Sequence, residues 1–226
     1  MSEQLGGTNI YLLKIKDGFI QIDAGRKSSV EKYFQFLKKN NIEPNEIKLI
    51  IVNHAHSDHV GALKVIQEAT KAKVLIQEND KESLIQGKNA AVEPVSITGR
   101  VLTSIMPKSM HYFDPVQPDI VIKDNFSLKE FGLNATIFHT PGHTKGTIAV
   151  LDENGNAFVG CNAQGPPLRF SPGLPASAID INKVIESLEK LVAKGAKIFY
   201  VAHGKPIKRE TIEKVLKKRK PNKEKE

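Results

Sequence analysis

The segment His54-Ala55-His56-Ser57-Asp58-His59 places three imidazoles and one carboxylate within six residues of the chain. It directly follows Ile47 to Val52, a short and almost wholly apolar run that is typical of a buried strand. Residues two apart in extended backbone face the same side, so His54 and His56 can bind one ion together. Asp58 and His59 come slightly later and can face a second ion. Imidazole and carboxylate ligands suit Zn²⁺, and they suit Fe or Mn as well.

Two further histidines lie in glycine-containing loops that follow predicted strands. His143 comes shortly after the strand predicted at Ala135 to His139, and His203 comes shortly after the strand predicted at Ile198 to Val201. Loops at strand ends are where binding groups collect. A single His-x-His would be read as two ordinary polar loop residues. Five histidines and an aspartate in three such loops instead predict a metal site.

The pattern resembles the metallo-β-lactamase superfamily over most of the chain, from Gly7 to Ile207. The resemblance implies an α/β protein, an αββα sandwich of two mixed β-sheets flanked by helices, with the metal ions at one edge between the sheets. Some members of this superfamily are glyoxalase II-like or lactonase-like enzymes. The resemblance rests on these pieces of sequence: His54-x-His56-x-Asp58-His59 with Gly61, Thr140-Pro141-Gly142-His143-Thr144, Phe158-Val159-Gly160-Cys161 and His203-Gly204.

The resemblance also implies a role for each candidate residue, with two Zn²⁺ ions expected and Fe or Mn as alternatives. A hydroxide held by the ions would attack the substrate, and Asp58 would be the catalytic residue that orients it and passes its proton. The implied ligands of the first ion are His54, His56 and His143, and those of the second are Asp58, His59 and His203.

Cys161 is the only cysteine of the chain and departs from the family pattern. Most members have a bridging Asp directly after the glycine that corresponds to Gly160. We therefore expect Cys161 to be a metal ligand, with a buried apolar side chain as the alternative. The β-lactamases of the superfamily also use a cysteine there. They commonly have a Lys where this chain has Gln164, however, and they usually lack a His at the position of His59.

The expected function is metal-dependent hydrolysis of an ester, a thioester or a lactone by a metal-bound hydroxide. Three alternatives stay open: a nucleic-acid phosphodiesterase, a β-lactam hydrolase and an iron-dependent persulfide dioxygenase. We expect a small-molecule substrate. We expect Arg169 to be an exposed arginine and His139 to pack beside the site, with substrate contact as the alternative for each.

The chain is basic, with a net charge of +8 and a pI of about 9.4. Such a balance can attract nucleic acid. Here the interval between Cys161 and His203 is too short for a large inserted domain, and no long basic arm interrupts the fold, which argues against nucleic acid. Much of the positive charge also lies near the end of the chain, at Lys214, Lys217, Lys218, Arg219, Lys220, Lys223 and Lys225.

We predict a metallo-β-lactamase-like domain over residues 1–216 and a solvated Lys-rich tail over residues 217–226. No apolar run approaches the roughly 18 residues that can cross a membrane. The start of the chain, Met1-Ser2-Glu3-Gln4, lacks the features of a signal peptide. We therefore expect a cytoplasmic protein without membrane contact. The sequence leaves the oligomeric state open, a homodimer included.

Apolar periodicity and turn residues predict the order of secondary structure, with each half running from strands to helices. Residues 86–123 are less regular. The predicted helices are Ser28 to Asn40, Val60 to Ala69, Asp180 to Lys194 and one from about Arg209. Besides the strands already named, the predicted strands are Ile10 to Ile15, Phe19 to Asp23, Val74 to Ile76, Phe126 to Leu128, Thr147 to Leu151 and Ala157 to Val159.

Overall fold

A computed structural model describes residues 1–94, 111–166 and 173–218. Within these ranges each half of the chain builds one six-stranded β-sheet, and the strands of each sheet lie side by side in chain order. In the first sheet the first three strands are antiparallel and the later pairs are parallel. Its strands are β1 (Ser2–Leu5), β2 (Thr8–Ile15), β3 (Gly18–Ile22), β4 (Ile47–Ile51), β5 (Lys73–Gln77) and β6 (Ile120–Ile122).

The second sheet contains one parallel pair, β10 with β11, and its other pairs are antiparallel. Both sheets are therefore mixed, as the sequence predicted. The strands of the second sheet are β7 (Phe126–Ser127), β8 (Ala135–His139), β9 (Ile148–Asp152), β10 (Asn156–Gly160), β11 (Ile198–Val201) and β12 (Ile207–Lys208).

The helices pack on the outer faces of the two sheets. Asp180 begins the longest of them, because its carboxylate accepts hydrogen bonds from the backbone N–H groups of Asn182 and Lys183. The predicted helix at residues 180–194 is thereby confirmed, with Asp180 as its capping residue. The helices are α1 (Val30–Lys39), α2 (Ser57–Val60), α3 (Leu63–Thr70), α4 (Glu78–Gln86), α5 (Ile181–Ala193) and α6 (Arg209–Lys217).

Alternation along the strands divides the core into three layers. In β4, Leu49 and Ile51 point between the sheets, where they meet residues of the second sheet such as Val150. The side chain of Ile50 points the other way and packs in the layer that α1 and α3 cover. A matching layer lies between the second sheet and helices α5 and α6. This is the expected αββα sandwich, since period-two alternation gives each sheet two apolar faces.

The helix predicted at Val60 to Ala69 is confirmed over most of its length by α3, but α3 begins at Leu63 and a separate turn of helix, α2, ends at Val60. The carbonyl oxygen of His59 accepts hydrogen bonds from the backbone N–H groups of Ala24, at 2.7 Å, and Gly25, at 3.0 Å. Because that carbonyl is engaged by the turn after β3, the helix stops at Val60 and restarts at Leu63. Several other elements of the described residues had no predicted bounds in the sequence. They include helix α4, strand β1, strand β12 and, within the region expected to be irregular, strand β6.

The loops that carry the candidate ligands meet at one edge of the sandwich. They follow the carboxyl ends of β4, β8, β10 and β11. None of the helices in residues 1–94, 111–166 and 173–218 is long and apolar enough to span a membrane. Arg169 and residues 219–226, most of the predicted tail, lie outside the described residues.

Candidate metal centre

Three imidazole nitrogens converge at the first candidate site. The Nδ1 atom of His56 lies 3.1 Å from Nε2 of His54 and 3.3 Å from Nε2 of His143. Ligand nitrogens that bind Zn²⁺ tetrahedrally at 2.0–2.1 Å lie about 3.3 Å from one another. The spacing of these three nitrogens therefore fits one shared ion. His54 and His56 come from the loop after β4 in the first sheet, whereas His143 comes from the loop after β8 in the second.

A second group forms around the carboxylate of Asp58. Its Oδ2 atom lies 3.2 Å from Nε2 of His203 and 3.8 Å from Nε2 of His59. The hydroxyl of Thr8 donates a hydrogen bond to the same oxygen at 3.3 Å. Asp58 lies in the first turn of α2, where the helix dipole stabilises a negative charge. Local structure thus supports an ionised carboxylate facing two imidazoles.

Cys161 lies between the two groups. Its Sγ atom is 3.3 Å from Nε2 of His59. One nitrogen each from His54 and His143 and the sulfur of Cys161 lie within 4.8 Å of one another, and the same holds for His59, Cys161 and His203. The cysteine is buried. The structure therefore brings all seven candidate ligands together, with the sulfur common to both sets.

The backbone before Cys161 requires a glycine. Gly160 has a φ of +56°, and a Cβ atom there would overlap the side-chain amide of Asn53. Because glycine has no Cβ, the end of β10 can approach the end of β4. The close contact between the two strand ends places the thiol of Cys161 beside His59, which belongs to the first sheet's loop.

Each of the five imidazoles also bonds outward, through its other ring nitrogen, to an oxygen atom. Amide, carbonyl and carboxylate oxygens only accept hydrogen bonds, so each outward nitrogen must carry the hydrogen. In the neutral form of each ring the inward nitrogen then keeps a lone pair, as metal ligation requires. The outward acceptors are Asn53 Oδ1 for His54 at 2.9 Å, Ala90 O for His56 at 3.0 Å, Asp23 Oδ2 for His59 at 2.7 Å, Ser177 O for His143 at 2.8 Å and Gly7 O for His203 at 3.0 Å.

Electrostatics favour anionic sulfur and oxygen at this centre. Burial raises the pKa of the Cys161 thiol, but the charges of His203 and His59 outweigh burial and hold that pKa well below its ordinary value. Burial likewise acts to raise the pKa of Asp58, and the same two histidines hold it below the usual range. Burial and the neighbouring charge of His143 lower the pKa of His56 to about 3, which keeps that ring neutral. In return, the negative charges of Asp23 and Cys161 outweigh burial and hold the pKa of His59 well above its ordinary value, and the charge of Cys161 outweighs burial and raises the pKa of His203 to about 10. These two imidazoles would therefore release a proton when a divalent cation binds.

Sequence reasoning missed residues that hold the ligands in place. The carboxylate of Asp23 accepts hydrogen bonds from Nδ1 of His59 and from the backbone N–H of Asn53, at 2.7 and 2.9 Å. In the sequence Asp23 was only the last residue of the strand predicted at Phe19 to Asp23. Asp80, in the first turn of α4, is buried and bonds to two ligand loops. An aspartate near a helix N-terminus is usually solvated, so the sequence carried no signal for it.

His139 is not part of the cluster. Its Nε2 atom donates to the carbonyl oxygen of Lys145 at 2.9 Å. The ring also lines an open surface groove of about 430 Å³, together with Asp124, Lys183 and Lys190.

Comparison with known proteins places this site in context. A sequence model of the metallo-beta-lactamase superfamily matches residues 4–203. A probable metallo-hydrolase of Methanocaldococcus jannaschii is 30% identical over 147 residues, which are 65% of this chain and 63% of that protein. A probable metallo-hydrolase of Bacillus subtilis is 26% identical over 225 residues, covering 88% of this chain and 81% of the relative. A hydroxyacylglutathione hydrolase of Shewanella loihica is 30% identical over 146 residues, 63% of this chain and 42% of its own.

Two of these matches thus span less than two thirds of the relative's length. Among solved structures, an archaeal metallo-beta-lactamase superfamily protein from Sulfolobus tokodaii has a TM-score of 0.69 at 22% identity and covers 100% of this chain and 88% of its own. The B3 metallo-beta-lactamase BLEG-1 has a TM-score of 0.71 at 17% identity, and the match covers 93% of this chain and 94% of BLEG-1. At these identities the structures show a shared fold. With the family match over residues 4–203, the chain belongs to the metallo-beta-lactamase superfamily.

Proposed function

We propose that this metallo-hydrolase cleaves an ester, a thioester or a lactone of a small molecule at a centre of two metal ions. Zn²⁺ is the proposed metal, and Fe and Mn are the alternatives. The observation that carries the proposal is the pair of ligand sets that share the sulfur of Cys161. The outward hydrogen bonds of all five imidazoles support it, because they fix the tautomers that metal binding needs.

In this proposal His54, His56 and His143 would hold the first ion, and Asp58, His59 and His203 would hold the second. Cys161 would contribute its sulfur to both ligand sets. When bound, the ions would supply Lewis acidity, which ionises water near pH 7 and polarises a carbonyl or phosphoryl oxygen. A thiolate is softer than the carboxylate usual at the bridging position, so this ligand set favours Zn²⁺ over harder ions.

Asp58 is the proposed catalytic residue. Its side chain is 19% exposed and that of His203 is 16% exposed, so this side of the centre reaches solvent. His54 and His59 are fully buried. Substrate therefore meets the centre beside Asp58, whose carboxylate is held ionised and is anchored by the hydroxyl of Thr8. An ionised carboxylate there can accept a proton from the attacking water and return it to the leaving group.

Ester-like substrates fit better than the alternatives. The relative from Shewanella loihica is named a hydroxyacylglutathione hydrolase, which supports a thioester. For a β-lactam, the chain has Gln164 where a cationic side chain would hold the drug's carboxylate. For nucleic acid, no observation on the described residues favours the phosphodiesterase over a small ester.

The test is a substrate panel run with metal-free and metal-loaded protein. After removal of metal by chelation, the protein is reloaded with Zn²⁺, Fe²⁺ or Mn²⁺ and given a lactone, a thioester, a phosphodiester and a β-lactam. We expect turnover of the lactone or the thioester, restored by Zn²⁺ with two ions bound per chain. Turnover of the phosphodiester or the β-lactam alone would overturn the proposal. One bound iron and oxygen consumption with a persulfide would replace it with the dioxygenase.

A further inference from the structure

We propose that Asp80 is a positioning residue. It fixes the relative position of the two loops that carry the ligands of the first proposed metal site, one loop from each sheet. The inference rests on the proposed metal centre, because it assigns Asp80 a role in assembling that centre. Asp80 lies in the first turn of α4, outside the ligand set, and is only 1% exposed.

The carboxylate of Asp80 accepts three hydrogen bonds, and they come from both loops. Its Oδ2 atom accepts from the backbone N–H of Ala55 at 3.1 Å and from the hydroxyl of Thr144 at 2.8 Å. Its Oδ1 atom accepts from the backbone N–H of Gly146 at 2.9 Å. Ala55 lies between His54 and His56, and Thr144 directly follows His143. One side chain thus connects the histidines of the first sheet to the histidine of the second.

The loop of the second sheet folds closely around this carboxylate. A Cβ atom on Gly146 would lie 2.6 Å from Cγ of Asp80, so only glycine permits the observed approach. The hydroxyl of Thr144 donates to Asp80 and accepts from the hydroxyl of Thr147 at 2.9 Å, and Oγ1 of Thr147 accepts from the backbone N–H of Thr144 at 3.0 Å. Each donor in this turn is directed at a definite acceptor, which fixes the direction in which His143 projects.

A buried carboxylate is costly unless its hydrogen bonds and local charges offset the loss of water. Here the three donors and the positive end of the α4 dipole offset part of that loss, and burial still raises the pKa of Asp80 above its ordinary value. Both oxygens of a carboxylate can accept hydrogen bonds, and both oxygens of Asp80 do so. An amide of the same shape would turn one end into a donor. That donor would face either the N–H of Gly146 or the donors of Ala55 and Thr144, and one of the two loops would have to move.

Asp80→Asn is therefore the decisive substitution. Changes to groups that orient metal ligands typically weaken metal binding about 10- to 100-fold. We expect a loss of that size for the ion bound by His54, His56 and His143. We expect binding at Asp58, His59 and His203 to change by less than about threefold. Asp80 bonds to the shared loop at Ala55, between His54 and His56, whereas Asp58 and His59 lie beyond it in α2 and the ring of His59 is held by Asp23.

The matched control is Asp152→Asn. The carboxylate of Asp152 also accepts three hydrogen bonds, from the backbone N–H groups of Asn154 and Asn156 at 3.0 and 2.8 Å and from the side chain of Asn156 at 2.8 Å. Asp152 is the last residue of β9, before the turn to β10, and so lies at the opposite end of β10 from Cys161. A general effect of losing a bonded carboxylate would appear in both variants, whereas a positioning role appears only in Asp80→Asn.

The measurement is a Zn²⁺ titration of metal-free protein against a competing chromophoric chelator, which gives a Kd for each ion. The visible spectrum of the Co²⁺-loaded protein adds a second readout, since it reports the geometry around the ion. In a His143→Ala background, Asp80→Asn should cost little further metal affinity, because both changes act on the same ion.

If Asp80→Asn fails to fold, Thr144→Val is the deciding variant. It removes one hydrogen-bond donor to Asp80 at constant shape and should weaken binding of the same ion several-fold.

The outcomes separate the two proposals. Wild-type protein that binds no metal would refute the proposed function. Wild-type protein that binds two ions, with unchanged affinities and Co²⁺ spectrum in Asp80→Asn or in Thr144→Val, would refute the role of Asp80 alone. Equal weakening of the binding of both ions in Asp80→Asn, or an equal loss of metal affinity in Asp152→Asn, would show that Asp80 only stabilises the fold.

Discussion

At the scale of the residue, Cys161 decides the character of the proposed centre. A thiolate there is held anionic by His203 and His59, and a bound ion would keep it deprotonated. We expect Cys161 to react slowly with iodoacetamide in Zn²⁺-loaded protein and clearly faster after chelation, as followed by mass spectrometry. Because it is the only cysteine, the denatured protein gives the full one-label signal as a control. Equal labelling in both forms, with unchanged metal content in Cys161→Ser, would make it an ordinary buried side chain.

Two histidines near the end of β8 allow a matched test of ligand assignment. His143 contributes Nε2 to the first cluster, whereas His139 bonds to the carbonyl of Lys145 outside it. We expect His143→Ala to lower the metal content from two ions per chain to one and to reduce turnover at least 100-fold. His139→Ala should retain two ions and turnover within about threefold. Elemental analysis and initial rates give the comparison, and equal metal content in the two variants would contradict the assignment of His143.

At the scale of the element, the side chain of Tyr33 connects α1 to the turn that holds His59. Its hydroxyl donates to Oε1 of Gln21 at 2.7 Å, and Nε2 of Gln21 donates to the carbonyl oxygen of Asp23 at 2.7 Å. Burial raises the pKa of Tyr33 above its ordinary value. The folded protein therefore keeps this proton at a pH where the unfolded chain loses it.

The sign of the pH effect follows from that difference. The contribution of Tyr33 to stability is fully present below pH 10 and is lost as the pH rises above it, by up to about 1.4 kcal/mol per pH unit. We expect the free energy of unfolding of wild-type protein, from urea titrations between pH 9 and 11, to fall more steeply than that of Tyr33→Phe. Tyr112→Phe, at a tyrosine that is 59% exposed, is the control and should leave the slope unchanged. Parallel slopes for wild type and Tyr33→Phe would contradict the raised pKa.

Elements with a strong apolar period were predictable, and those set by contacts with distant parts of the chain were not. The apolar stripe along α5 and the capping residue Asp180 predicted both ends of that helix to within one residue. The break after Val60 depends on N–H groups of Ala24 and Gly25, far away in the sequence, which no local pattern shows. The same holds for the site. Spacing indicated the histidines and Asp58, and the resemblance to the family added Cys161. The buried acceptor at Asp80 became visible only in the structure, where it contacts both ligand loops.

At the scale of the whole molecule, the proposed centre joins the two halves of the chain. The first sheet supplies the loop with His54, His56, Asp58 and His59, and the second supplies His143, Cys161 and His203. The halves already share an apolar layer between their sheets. Metal ions bound between the loops would add a second connection, at the edge where that layer ends. Since the unfolded chain does not gather these ligands, metal binding at the proposed centre would be coupled to folding.

The size of that coupling can be measured as a shift in thermal stability. A ligand at 100 times its Kd stabilises the folded state by about 2.7 kcal/mol, and two independent ions would give about 5 kcal/mol. For a chain of this length, 1 kcal/mol raises the Tm by roughly 2–4 °C. We therefore expect Zn²⁺ to raise the Tm of metal-free protein by roughly 10–20 °C in calorimetry. His143→Ala, which keeps the ligands of the second ion, should show about half of that rise, and His139→Ala should show all of it. A Tm that Zn²⁺ leaves unchanged in the wild type would mean that the two sheets do not share a metal centre.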